Sequence, residues 1–274
     1  MIDAHHHVWQ LARGGYGWMT PDMTIHHDYG LDDLRPLLDG VGGTVLVQAD
    51  ATEAETDFML EVAAGSAGLV LGVVGWVDLA APDASARIAT RASTPGLVGL
   101  RPMLQDLPDP RWILRPEVAP ALAAMERLDL PLDLLILAHQ LPLVPELAAR
   151  HPALRMVIDH GAKPPIREGS WQPWADDLAL AAALGPRIHV KMSGLVTEAA
   201  PGWTTAVLRP WVAHLLDCFG PGRVLWGSDW PVVDLAGGYN AWREASLDML
   251  DGLGAAEREA VLGGNAARFY RLGS

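Results

Sequence analysis

Eight short apolar runs recur along this chain, and stretches of helical periodicity separate them. The runs are 2–8 (IDAHHHV), 43–49 (GTVLVQA), 69–77 (LVLGVVGWV), 97–101 (LVGLR), 132–137 (LDLLIL), 155–160 (RMVIDH), 188–193 (IHVKMS) and 224–229 (VLWGSD). Most are nearly continuous and β-branched rather than alternating, the pattern of strands buried on both faces of a parallel sheet. Between them the spacing predicts helices over 31–39, 52–65, 83–92, 116–128, 142–150, 174–184 and 204–219, with three more at about 240–251, 255–262 and 265–271 after the last run. Thr52 followed by Glu55 has the form of a capping box. Strand–helix repetition of this kind predicts an α/β fold, a (β/α)8 TIM barrel. An open doubly wound sheet would carry a Gly-rich phosphate loop after the first strand, and none is present. No repeat, low-complexity stretch or linker divides the chain, so residues 1–274 read as one barrel domain. Its largest insertion, the loop 9–30, is a candidate lid.

Half of the 274 residues are hydrophobic, enough for a large core, and the net charge of −13 argues against nucleic acid or an anionic membrane surface as partner. No apolar run reaches the ~18 residues of a membrane span, and no leader precedes the first strand. The single cysteine, Cys218, excludes an internal disulfide framework. These features predict a soluble cytoplasmic protein.

In a barrel of this type the site is built at the C-terminal ends of the strands. Buried strands should end in ordinary apolar residues, yet here the polar residues gather at those ends. Strand one ends in His5-His6-His7. With strict alternation Asp3, His5 and His7 share one face, Asp3 lying deeper as a supporting carboxylate, and His6 faces the other way. Two imidazoles at i and i+2 suit a metal site or an acid/base site. Strand two ends in Gln48, strand four in Arg101, strand six in Asp159-His160 with Lys163 beyond. Strand seven carries Lys191 and Ser193, and strand eight ends in Ser228-Asp229-Trp230. The chain has only two lysines, Lys163 and Lys191, and both fall at this rim. Each residue has a plainer explanation. Asp229 can cap a loop, His160 can bond a neighbouring loop, Arg101 and Lys191 can be structural ion-pair partners, and Gln48 and Ser193 can be structural hydrogen-bonders. Trp230 and the loop residues Trp18, Trp171, Trp174 and Trp203 can stack on a sugar face or simply pack.

The ordered set of segments resembles the amidohydrolase superfamily, and within it the sugar-lactone hydrolases of the L-fuconolactonase and L-rhamnonolactonase kind. The resemblance rests on Ile2-Asp-Ala-His-His-His-Val-Trp9, Val47-Gln-Ala49, Gly75-Trp-Val-Asp78, Gly99-Leu-Arg-Pro-Met-Leu-Gln105, Val157-Ile-Asp-His-Gly161 with Lys163-Pro164, Lys191-Met-Ser-Gly-Leu195, Gly227-Ser-Asp-Trp-Pro-Val232 and Asn265-Ala-Ala-Arg-Phe-Tyr270. It spans essentially the whole chain.

It implies a barrel hydrolase centred on His5, His7, His160 and Asp229. Arg101 stands where binuclear members carry a bridging carboxylated lysine, so at most one divalent ion is implied, zinc first among the candidates. Members of the branch differ in their need for a metal, which keeps a metal-independent site as the alternative. The expected reaction is water attack on the carbonyl of an aldonolactone, a small-molecule substrate. Asp229 is the expected general base, His160 the proton donor to the leaving oxygen, and Lys191 a catalytic cation. His5, His7, His160 and Asp229 are the metal ligands in this reading. Arg101, Gln48, Trp230 and Ser193 are the expected substrate contacts. A dicarboxylate lactonase would need several arginines at the strand ends. A non-oxidative decarboxylase on the same scaffold and a non-catalytic sugar-binding barrel complete the alternatives.

Overall fold

The computed structural model describes residues 1–273. Eight parallel strands follow one another in sheet order: β1 (Ile2–His6), β2 (Gly43–Val47), β3 (Val70–Gly75), β4 (Leu97–Leu100), β5 (Leu132–Leu134), β6 (Met156–Ile158), β7 (Ile188–Met192) and β8 (Val224–Trp226). Each pairs with the next in parallel register. β1 and β8 meet beyond their ends, where the His7 N–H donates to Trp230 O at 2.7 Å and the Asp229 N–H to His5 O at 2.8 Å. The result is a nearly closed (β/α)8 barrel, as the strand pattern predicted.

The helices are α1 (Leu31–Leu34), α2 (Glu53–Ala64), α3 (Ala84–Ala92), α4 (Ala119–Arg127), α5 (Leu143–Arg150), α6 (Trp174–Ala182), α7 (Leu195–Glu198), α8 (Thr205–Phe219), α9 (Tyr239–Met249), α10 (Ala255–Glu259) and α11 (Asn265–Tyr270). The predicted helix over 31–39 is cut short: α1 ends before Arg35, and a tighter 3-10 turn carries Pro36. Proline supplies no N–H to continue an α-helix. α2 starts where the capping signal put it, with Thr52 Oγ1 accepting from the Glu55 N–H at 3.2 Å. The Glu55 side chain does not return to the cap. It turns inward to Tyr16 and the Ala49 N–H.

Between the sheet and the helices lies a continuous apolar layer that includes Leu46, Val73, Met125, Trp174 and Trp226. Inside the barrel Ala4, Val45, Val47, Val74, Val157 and Leu225 meet Phe269 and Tyr270 from α11, which plugs the floor. Burying each valine, leucine or phenylalanine among them contributes about 1.5–3 kcal/mol. Among the described residues no helix is long and apolar enough to cross a membrane.

The alternation assumed for β1 fails at one point. The register slips between Asp3 and His6, so Ala4 and His5 both join the barrel interior. His6 turns to Thr44 Oγ1 at 2.9 Å on the outer side of the sheet. Asp3 therefore lies away from His5's surroundings. Its Oδ1 accepts from the Ser228 N–H at 2.8 Å and the His5 N–H at 3.2 Å, and its carboxyl faces Tyr239 of α9. It staples β1 to β8 and does not support the site from below. The bulge is the cause, since one extra residue flips every side chain beyond it.

Candidate active site

Above the apolar floor the barrel interior turns polar. Lys191 Nζ bridges two carboxylates, Asp133 Oδ2 at 2.6 Å and Asp159 Oδ1 at 3.0 Å. Tyr270, rising from the floor, donates its hydroxyl to Asp133 Oδ2 at 2.6 Å. Arg101 holds the other oxygen of Asp159 at 3.1 Å and binds Gln48 through both its backbone oxygen and Oε1. Two cations thus balance two anions, all fully or almost fully buried. Such a set is tolerated in a low-dielectric interior only when every member is paired. Burial pushes the Asp133 carboxyl up to about 6 against the pull of Lys191. Burial also acts to raise Asp159, but Lys191, His5 and Arg101 prevail and hold it well below the usual carboxylate range.

His5 stands on this layer. Lys191 Nζ lies 3.0 Å from its Nδ1 and an Arg101 nitrogen 3.2 Å from its Nε2. Burial, with Lys191 beside it, drives its pKa well below the ordinary histidine value. The ring is kept neutral.

The top layer comprises His7, His160 and Asp229. Three imidazole nitrogens converge on one atom, Asp229 Oδ1: His7 Nε2 at 3.4 Å, His5 Nε2 at 3.7 Å and His160 Nε2 at 3.7 Å. Burial alone would raise the Asp229 pKa, yet His160, His7 and His5 hold it below the usual range. Burial lowers His160 to about 4, against the opposing charges of Asp229 and Asp159.

Unusual backbone places these groups. His160, Gly161, Ala162 and Lys163 all have positive φ, at 53°, 58°, 60° and 50°, and Asp229 has φ 60°. Left-handed conformations at non-glycine residues cost of order 1–3 kcal/mol each and survive only where the surroundings hold them. Trp174 Nε1 donates to Gly161 O at 2.8 Å, and Ser193 Oγ lies 2.9 Å from His160 Nδ1. Space beside them is left by Gly194, at φ 63°, where a Cβ would sit 2.6 Å from His160 Nδ1 and 3.1 Å from Asp229 Oδ2.

A cavity of about 110 Å³ opens on this layer. His7, Arg101, His160, Lys163 and Asp229 form its polar wall, Trp18, Met103, Leu135 and Val232 most of its apolar one, and Gln105 completes the lining. Several residues expected in contact with substrate lie elsewhere. Gln48 and Ser193 are fully buried behind Arg101 and His160. Trp230 is buried against Tyr29, and Lys191 lies wholly beneath His5. Trp18, named from the sequence as a possible stacking surface, does line the cavity, as do Lys163, Met103 and Gln105, which carried no assigned role in the sequence beyond their position. Lys163 lay beside the His160 motif. Met103 and Gln105 follow Arg101 directly after β4, where no charged or titratable side chain marks them as site residues.

The donor set suits one metal ion. His7 Nδ1 lies 2.7 Å from Val47 O. A carbonyl only accepts, so Nδ1 is the N–H and Nε2 carries the lone pair. That lone pair faces the Asp229 carboxylate at 3.4 Å, an arrangement that calls for a proton or a cation between them. Ion-to-ligand bonds of about 2.0–2.2 Å are compatible with the 3.7 Å that separates Asp229 Oδ1 from both His5 Nε2 and His160 Nε2, and His7 Nε2 stands 3.4 Å from the same oxygen. Ligand atoms of His5, His160 and Asp229 all lie within 4.8 Å of one another.

Comparison with known proteins places this geometry. An L-fucono-1,5-lactonase of Burkholderia ambifaria is 45% identical over 99% of this chain and 95% of that protein. A second one, from Burkholderia multivorans, is 38% identical over 99% of this chain and 96% of its own. A crystal structure of an amidohydrolase from Burkholderia multivorans with bound zinc superposes with a TM-score of 0.93, at 37% identity and 99% coverage of both chains. The amidohydrolase family matches residues 2–272, and with the barrel and its histidine–aspartate mouth in place, the chain belongs to that family.

Proposed function

We propose that this protein is a hydrolase that opens sugar-acid lactones, with an aldono-1,5-lactone of the L-fucono type as its substrate class. The observation that carries the reading is the convergence of His5, His7 and His160 on one oxygen of an ionised Asp229 at the mouth of a small cavity. The names of the two Burkholderia relatives support the substrate. The cavity wall supports a neutral sugar rather than a dicarboxylate, because its one arginine, Arg101, is already committed to Gln48 and Asp159.

Lactone opening needs an activated water, a stabilised oxyanion and a proton for the leaving oxygen. Asp229 is the general base. His5, His7, His160 and Asp229 would hold a single divalent ion, zinc first. A bound ion of this kind lowers the pKa of water and polarises a carbonyl. Lys191 acts from below: it fixes His5 and, with Arg101, balances Asp133 and Asp159. Ser193 occupies Nδ1 of His160 and its Nε2 is the atom that would hold the ion, so Lys163 rather than His160 is the proton donor to the leaving oxygen. Of the two cations lining the cavity, Lys163 is the one with reach, its carboxylate neighbour Glu198 being 3.9 Å away.

The test is a pH-indicator screen of aldonolactones and dicarboxylate lactones, with and without chelator, beside metal analysis of the purified protein. Acid release from L-configured aldono-1,5-lactones is expected. Carbon dioxide release from an aromatic acid, or tight sugar binding with no lactone opened, would overturn the assignment.

A further inference from the structure

Loop 9–30 is seated against the end of β2 and on α2 by four hydrogen bonds. Tyr16 donates its hydroxyl to Glu55 Oε2 at 2.9 Å, and its N–H lies 3.3 Å from Asp50 Oδ1. Trp18 Nε1 donates to Ala49 O at 2.8 Å, and Arg13 donates to Ala54 O at 3.1 Å. At Gly15, φ 79°, a Cβ would sit 2.4 Å from Asp50 Oδ2, so the backbone approaches the carboxylate as closely as only glycine permits. The loop therefore carries Trp18 to the cavity wall as a fixed surface. The buried member of this attachment is Glu55, 3% exposed, whose other oxygen accepts from the Ala49 N–H at 3.4 Å. One side chain thus ties the Tyr16 end of the loop to the β2–α2 corner beside Trp18's own anchor.

We propose that Glu55 is a positioning residue for substrate: through Tyr16 it holds loop 9–30 so that the Trp18 ring forms the wall against which the C–H face of a sugar lactone packs. The inference rests on the lactonase reading for its ligand, while the latch itself stands on the contacts above. An aromatic ring offers a large rigid apolar face at little conformational cost. Letting it move loses binding in ground and transition state alike, which raises KM and spares kcat.

The experiment compares Glu55→Ala, Tyr16→Phe and Glu55→Gln with the wild type. Glu55→Gln keeps an acceptor for the Tyr16 hydroxyl. Expected for Glu55→Ala and Tyr16→Phe is a KM for the best aldonolactone raised roughly 5–20-fold with kcat within about 3-fold, the range one lost buried hydrogen bond allows. Hydrogen exchange should speed up in peptides of 10–28 and stay unchanged in β5–β7. Glu55→Gln should restore both readouts. Unchanged exchange in 10–28 for both disruptive variants would overturn the latch. Faster exchange with KM unmoved would overturn the role of the wall in binding, and an equal fall of kcat in all three variants would mark Glu55 as structural only. Should the wild type open no lactone, the lactonase reading fails and the role of Trp18 with it, while the exchange comparison still decides the latch.

Discussion

At the scale of single residues the proposed chemistry turns on one carboxylate, Asp229, and the groups that keep it charged. Asp229→Asn removes the proposed base but keeps its size and its backbone contacts. Turnover should fall about 10²–10⁴-fold with the thermal midpoint little changed, and steady-state kinetics beside a circular-dichroism melt will check this. Gly194→Ala tests placement instead of chemistry. The new methyl meets His160 and Asp229 at 2.6 and 3.1 Å, so one of them must move. A displacement of that size costs on the order of 10²-fold in kcat, and the same kinetics will read it while the melt reports the strain.

At the scale of elements the informative pieces are those that depart from the regular pattern. The bulge in β1 separates Asp3, a barrel staple, from His5, a site residue. The first turn of α2 places Glu55 against Tyr16, where burial pushes its carboxyl from 4.5 to about 7. A pKa raised on folding gives stability that is fully present below the unfolded value and is lost as pH rises through the folded one. Wild-type stability should therefore fall relative to Glu55→Gln as pH climbs from 4.5 to 7, and the difference should level off above that. Urea midpoints for the two proteins across pH 4.5–8 give the answer, and a constant difference would refute it.

At the scale of the whole molecule, the barrel is closed at its floor by the C-terminal helix and filled above it by a charged layer. Lys191→Met leaves Asp133 and Asp159 buried with half their partners gone. Loss of one partner from such a set costs about 3–5 kcal/mol, so urea unfolding should show a large fall in midpoint. Tyr270→Phe removes one hydrogen bond to Asp133 from the far end of the chain and should cost about 1–3 kcal/mol, a smaller shift of the same midpoint. Equal, negligible effects from both would mean that the layer contributes nothing to holding the floor and the strands together.

Much of this protein was legible in its sequence. Strand runs of continuous β-branched residues can be buried only in a sheet covered on both sides, and eight of them alternating with helices leave the barrel as the economical closure. The rim residues His5, His7, His160 and Asp229 followed, because a barrel's strand ends are its mouth whatever the side chains. Tertiary structure alone decided which polar residues line the cavity. Gln48, Ser193 and Lys191 sit at strand ends like the rest, but their partners (Arg101, His160 and Asp133) come from other strands, and pairing draws them behind the wall, while Arg101 stays in it. Lys163 and Trp18 reach the cavity through a left-handed turn and a loop latched on Glu55, neither of which has a periodic signature. Alternation in β1 sorted His5 and His7 from His6 but misplaced Asp3, since a single inserted residue at the bulge breaks the alternation between Asp3 and the histidines.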